Sequence, residues 1–226
     1  MKMEMLSRKI SDIVKEDMRL SLFFSGERID FCCNGFRQLD EVLEEKGEDK
    51  EQFSRRLSLF MADLDKKGDR ETYFEDMDNV ELINLIVNQH HKFTRDVLEE
   101  LDTYVPMILR AHFDEDPELL LMINRLYGNL RTELLEHLIK EERILFPAMK
   151  SGDAEEAKNT IASTEDEHDA AGDILKELRS TTRDFLIPSW SCNTFAAAYH
   201  HLEALEQDLF RHIFLENSVL FPRFSQ

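Results

Sequence analysis

The stretch ELLEHLIKEERILFP, residues 133–147, returns 75 residues later as DLFRHIFLENSVLFP, residues 208–222. Six paired positions are identical: Leu134 and Leu209, His137 and His212, Glu141 and Glu216, Leu145 and Leu220, Phe146 and Phe221, Pro147 and Pro222. Leu and Phe at these spacings suit a buried helix face, and Pro reads as a helix stop. Histidine and glutamate four residues apart share one face of a helix. That face carries Leu134, Ile144 and Leu145 in one copy and Leu209, Leu215, Val219 and Leu220 in the other, so both pairs are expected to point inward. A lone buried His or Glu is commonly a hydrogen-bonded core residue. Two identical pairs at repeat-related positions point instead to ligands, because two carboxylates buried without cations would each cost on the order of several kcal/mol.

Working outward, apolar residues recur at helical spacing almost everywhere, and no segment reads as a strand. Up to Lys67 the pieces are short: FRQLDEVLEEKG stops at Gly47, and DKEQFSRRLSLFMADLDKKG stops at Gly68. They predict a small helical domain over residues 1–68. Residues 69–226 hold four longer segments. The first starts at the capping box of Asp78 and Glu81 and runs to about Val105, ahead of Pro106; the second runs from Asp116 and Pro117 to Pro147. The third runs from about Asp153 to about Phe185, and the last from about Ser191 to Phe221. The expected fold is all-α, an up-down-up-down four-helix bundle preceded by the small helical domain.

The odd-numbered segments of the bundle must then supply partners for the two His–Glu pairs. In the first, His90 has Ile83, Ile86, Val87, Phe93, Val97, Leu98 and Leu101 at helical offsets, whereas His91 finds Asn84, Asn88, Arg95, Glu99 and Asp102. His90 is expected in the core and His91 towards water or the bundle edge. The third segment offers His168. With ~1.5 Å of rise per residue, His90, His137, His168 and His212 fall within one or two turns of a common layer. His112 lies ~30 Å from it along the helices and is left out, while His200 and His201 read as ordinary polar or packing residues.

Four imidazoles and two carboxylates exceed the needs of one tetrahedral zinc and suit two metals of octahedral preference. The economical arrangement gives each metal two histidines and one oxygen from each of Glu141 and Glu216 as bridges. About one position per metal, plus an oxo or hydroxo bridge, stays open for small diatomic ligands. Ligand type alone leaves iron, zinc and manganese open. Glu133 and Asp208, each four residues before a repeat histidine, are placed to orient an imidazole or carry protons.

The charge balance narrows the partners. Against 28 Lys and Arg stand 47 Asp and Glu, a net charge of −19, which disfavours nucleic acid and anionic membrane surfaces. Three cysteines, with Cys32 and Cys33 adjacent, do not form a secreted disulfide framework. The N-terminus lacks an apolar signal-peptide core and no later run nears a membrane span, so a cytoplasmic protein is expected. Cys32 and Cys33 are candidates for a thiol role, and Cys192 reads as packing.

The series His90, His112, HLIKEERILFP, EHDAAG and HIFLENSVLFP resembles the hemerythrin-like domain of the bacterial RIC family, di-iron proteins for the repair of iron centres. IDFCCNGF, residues 29–36, is similar to the Cys-Cys-Gly-Gly run of that family's small helical domain, with Asn34 in place of the first glycine and Gly35 retained. The resemblance implies that the residues matching the family's ligands, His90, His137, Glu141, His168, His212 and Glu216, hold iron. It also implies a stress protein that restores iron–sulfur clusters damaged by nitric oxide or oxidants, by donating iron from a labile site to iron–sulfur client proteins. Cys32 and Cys33 would receive iron, contact a damaged cluster or react with nitric oxide. Two alternatives stay open. One is an enzyme that reduces nitric oxide, with Glu133, Asp208 or Glu167 supplying protons; the other is a hemerythrin-type carrier or sensor of oxygen or nitric oxide. A homodimer is also left open.

Overall fold

In the computed structural model the described residues are 5–68, 74 and 76–224. Eight helices in chain order account for the fold among these residues, with no strand and a single isolated bridge between Lys9 and Gln38. Internal contacts divide the chain into two compact units, Met1–Leu82 with Phe210–Gln226, and Ile83–Leu209.

The first unit begins with four helices: α1 (Ile10–Glu16), α2 (Leu20–Gly26), α3 (Leu39–Glu45) and α4 (Lys50–Lys67). Their apolar faces converge on a core in which Ile10, Ile13, Val14, Phe24, Leu39, Leu43 and Phe53 have no exposed surface. Asp49 caps α4 by accepting from the Gln52 amide at 2.8 Å, and α4 stops at Gly68. Between α2 and α3 the chain doubles back against α1, where the Ser11 amide donates to the Gly35 carbonyl at 2.8 Å and Ile10 to that of Arg37 at 3.0 Å. A β-carbon on Gly35 would meet the Phe31 carbonyl oxygen at 2.3 Å, so only glycine fits this approach. Asn34 needs no such freedom: its φ is not positive, and its side-chain amide ties the loop by donating to Asp30 at 2.8 Å.

The second unit, Ile83–Leu209, holds most of the four bundle helices, the first of which starts and the last of which ends in the first unit. Helix α5 runs from Asn79 to Ala111, α6 from Pro117 to Ser151, α7 from Ala154 to Thr181, and α8 starts at Asn193 and reaches Phe214 before a π-turn (Leu215–Leu220) and a final 3₁₀ turn (Phe221–Arg223). Caps are those the sequence signals: Asp78 and Glu81 bond reciprocally, Asp116 accepts from Leu119, and Asp153 accepts from Glu156. Within this unit Tyr127 of α6 donates to the Leu98 carbonyl and to Asp102 of α5, and Lys140 of α6 pairs with Glu167 of α7 at 2.6 Å. Arg179 of α7 forks onto the buried Glu206 of α8, and His90 of α5 meets Asp208 of α8. Each helix thus touches two neighbours, with residue numbers rising on one as they fall on the next, which is the up-down-up-down arrangement expected.

Two expected helix stops do not hold. Pro106 lies inside α5, which continues to Ala111. Pro147 lies inside α6, directly after its π-turn (Glu141–Leu145), and the helix continues to Ser151 and ends at Gly152, at φ 79°. Helix α7 ends at Thr181 rather than about Phe185, because Arg183, Asp184 and Phe185 all adopt positive φ, of 53°, 60° and 54°. Such a run cannot continue a right-handed helix.

Candidate metal centre

Three helices carry a π-turn: Ile86–His91 in α5, Glu141–Leu145 in α6 and Leu215–Leu220 in α8. Each turn begins, contains or ends on a histidine or glutamate singled out above, in keeping with the tendency of π-bulges to occur at functional sites. The wider turn advances the chain by one residue relative to α-helical phase, and this decides which histidine faces Glu141.

His91, expected to face water or the bundle edge, has no exposed surface. Its Nε2 lies 3.3 Å from Oε2 of Glu141, itself wholly buried. His90 is also buried, but its Nδ1 faces Asp208 at 2.9 Å. The reason is the phase shift: after Ile86 the α-helical i+4 position is His90, whereas the π-turn places His91 there. Ile144, expected beside His137, is 44% exposed for the same reason, lying inside the π-turn of α6, while Leu145 is buried.

Around the Glu141 carboxylate the bundle unit assembles three imidazoles. His91 and His137 each present Nε2 at 3.3 Å from Oε2, and the Nε2 atoms of His137 and His168 are 3.3 Å apart. One ligand atom from each of His137, Glu141 and His168 lies within 4.8 Å of the others. All three are at least nine-tenths buried. The outward ring nitrogens are held by a second layer of carboxylates. Nδ1 of His91 meets Glu142 at 2.8 Å, and Nδ1 of His137 meets Glu167 at 3.0 Å. A carboxylate on Nδ1 fixes the proton there and turns the Nε2 lone pair inward. Lone pairs then converge on a carboxylate oxygen, an acceptor set that one or more cations satisfy at once. The residues fit a metal site.

The second layer is itself anchored. Glu142 also accepts from Arg95 at 2.8 Å, and Glu167 from Lys140. Burial pushes the Glu142 carboxyl up, but the bonds from His91 and Arg95 outweigh it and hold it below its usual range. The bond from His137, with Lys140 adding to it, holds Glu167 low as well. Glu133, expected in this layer, is exposed, and Glu167 of α7 takes the place on Nδ1 of His137 instead. Asp208 does engage an imidazole, that of His90. Glu142 was not foreseen, although its position directly after Glu141 marks a residue turned away from the carboxylate and towards the bundle edge.

In the other compact unit, His212 and Glu216 are 1% and 0% exposed, with Nε2 and Oε1 3.1 Å apart. They repeat the His137–Glu141 arrangement, one turn and two turns beyond Asp208 on the same helix. That unit also holds Asp30, Cys32 and Cys33, one ligand atom of each within 4.8 Å of the others. The two thiols are reduced, with Sγ atoms 3.8 Å apart, and Cys32 donates to Asp30 at 3.4 Å. The contact with Cys33 and burial push the Cys32 thiol up. Asp30 also accepts from the Cys33 and Asn34 amides, at 2.9 and 3.2 Å. His112 and Cys192, both set aside on sequence grounds, lie together: Nε2 and Sγ are 3.2 Å apart, and Cys192 is exposed rather than packed. His201 bonds the Ala197 carbonyl and packs on Tyr104.

A helical bundle that buries imidazoles about a carboxylate, each steadied by an outer carboxylate, is a metal-binding bundle. The chain belongs to the family described as the Hemerythrin HHE cation binding domain, which matches residues 82–224. Residues 6–60 match a second family, described as a Domain of Unknown function (DUF542). Among curated relatives, the Iron-sulfur cluster repair protein YtfE of Escherichia coli O8 (strain IAI1) is 33% identical over 205 residues, covering 91% of this chain and 90% of its own. Proteins of the same name from Shigella boydii serotype 4 (strain Sb227) and Escherichia coli (strain K12 / DH10B) match to the same extent.

Proposed function

We propose that this protein repairs iron–sulfur clusters damaged by nitric oxide or oxidants, by holding two iron ions and donating iron to the damaged client. The observation that carries the reading is the wholly buried Glu141 carboxylate with the Nε2 atoms of His91 and His137 turned upon it, in a chain whose relatives are named for cluster repair. The ligand set is His91, His137, Glu141, His168, His212 and Glu216, with His91 replacing His90. His212 and Glu216 are included because they repeat the His137–Glu141 pair in residue type, spacing and burial.

Iron bound there would supply what a broken cluster lacks and a centre that changes oxidation state. The chain's own residues present and release it. Glu142 and Glu167 hold His91 and His137 with Nε2 inward, and their side chains are 27% and 36% exposed, so the second layer connects the buried rings to water. Two carboxylates and neutral imidazoles surrender iron more easily than an all-anionic cage. Cys32 and Cys33, reduced and close together beside Asp30, offer soft ligands to iron leaving the site. On this reading residues 1–68 form the thiol-bearing part and residues 69–226 the metal-bearing part. The exposed free thiol and the unjoined pair fit a reducing compartment, the cytoplasm.

The test is transfer. Iron-loaded protein mixed anaerobically with a client enzyme whose cluster has been damaged by nitric oxide should restore client activity within minutes, with loss of iron from this chain. Failure to transfer iron while the chain catalyses reduction of nitric oxide to nitrous oxide with electrons from an added donor would replace the proposal with a nitric oxide-reducing enzyme.

A further inference from the structure

At the far end of the bundle from the metal layer lies a second reactive arrangement, confined to the bundle unit. Cys192 precedes the first residue of α8, Asn193–Phe214. Its sulfur is exposed and sits 3.2 Å from Nε2 of His112, the residue that closes α5. The imidazole is not a chance neighbour. Trp190 and Phe195 hold its ring, with centroids at 5.5 and 5.6 Å, and the two aromatics pack edge-on to each other at 5.1 Å. The amides of Thr194 and Phe195, in the first turn of α8, also point at the sulfur. A thiolate at that position gains from an imidazole that shares its proton, from two N–H donors and from the positive end of a helix of 22 residues.

We propose that the Cys192–His112 pair is a redox-reactive thiol site, which takes up small disulfides as a reversible mixed disulfide. In the step, the Cys192 thiolate attacks one sulfur of the disulfide, RS–SR. The new Cys192–S–SR bond forms as the RS–SR bond breaks, and the departing RS⁻ leaves with the electron pair. Cys192 is oxidised and one half of the disulfide is reduced, so no further oxidant enters. The proton taken from Cys192 is held on the imidazole and is available to the leaving thiolate.

The electrostatics agree with the geometry. The bond with His112 comes first, then the Phe195 and Thr194 amides, and together they hold the Cys192 thiol down to about 7. His112 is the titratable side chain placed against the sulfur, and the acidic run Asp114, Glu115 and Asp116 follows it on the connection to α6. Cys32 contrasts on every count: it is buried, and its thiol is pushed up. Cys192 therefore reacts first, and for a reason separate from iron.

The full-length, iron-loaded chain is treated anaerobically with iodoacetamide over a range of pH, and labelling is read at each cysteine by mass spectrometry. Cys192 should label fastest with a midpoint near 7. His112→Gln should move the midpoint towards the ordinary thiol value of about 8.5. It should also slow labelling at pH 6.5 by about five-fold, because a roughly twenty-fold loss of thiolate is offset in part by the greater nucleophilicity of a more basic sulfur. With 2-hydroxyethyl disulfide as probe, the mixed disulfide should form first at Cys192 and be absent in Cys192→Ser. A wild-type midpoint at the ordinary thiol value, an unchanged profile in a folded His112→Gln variant, or earlier capture of the probe by Cys33 would each overturn the proposal.

Discussion

At the scale of single residues, two adjacent histidines divide the work. His91 presents Nε2 to Glu141 and Nδ1 to Glu142; His90 is buried one position earlier and gives Nδ1 to Asp208. His91→Ala should therefore lose bound iron, whereas His90→Ala should keep it and lose stability of ~1–3 kcal/mol from a buried polar contact removed. Iron per chain and urea unfolding check both. Gly35 makes a second test. A methyl group there would press on the Phe31 carbonyl at 2.3 Å, so Gly35→Ala should cost ~2 kcal/mol or more. Asn34→Gly should cost only ~1 kcal/mol, the worth of the side-chain bond to Asp30. The fourth position of the Cys-Cys-Asn-Gly turn is thus fixed by sterics and the third only by a replaceable hydrogen bond.

Helices were legible from the sequence because capping residues and apolar periodicity carry the information locally. Asp78 with Glu81, Asp116 with Pro117, and Asp153 with Glu156 all cap the helices they were read as starting. The π-turns were not legible, since their hydrogen-bond pattern depends on what the flanking turns pack against, and a fixed 3.6-residue period run through Ile86–His91 picks His90. Counting back from the stripe of Thr94, Leu98 and Leu101, which is buried throughout, by three, seven and ten residues reaches His91 and would have found it. Pro106 misled for a similar reason: its missing N–H costs one backbone bond, which the packing of α5 tolerates. The helix pair α5–α6 offers a prediction that belongs to this scale. Asp102 of α5 accepts from Arg131 at 2.7 Å and from Tyr127 at 2.6 Å. Burial raises its carboxyl, but these bonds more than reverse the effect and hold it below its usual value. A lowered carboxyl stabilises the fold above its ordinary titration range and loses that contribution as pH falls through the lowered value. Asp102→Asn should destabilise the protein near pH 7 by ~0.5–1 kcal/mol, a figure reduced for the pair's exposure. The difference between the two proteins should vanish in acid unfolding curves below that range.

At the scale of the whole molecule, the same six-residue logic links stability to metal. On the proposed reading the ligands come from helices separated by long stretches of sequence, so iron would bind the folded state and hardly at all the unfolded one. Added iron should raise the midpoint of thermal unfolding and a chelator should lower it. Glu141→Leu with Glu216→Leu should remain helical and respond to neither, because apolar side chains of similar volume remove the buried charge together with the ligands. The net charge of −19 disfavours association with nucleic acid and anionic lipid. The outer carboxylates Glu142 and Glu167, the reach of Asp208 to His90, and the pairing of His112 with Cys192 all join residues dozens of positions apart, which is why no local pattern disclosed them. The most direct measurement is iron analysis with Mössbauer spectroscopy on chain purified without oxygen. About two irons per chain in an antiferromagnetically coupled pair, lost in His91→Ala, are expected; a single uncoupled iron, or an undisturbed pair in that variant, would contradict the assignment.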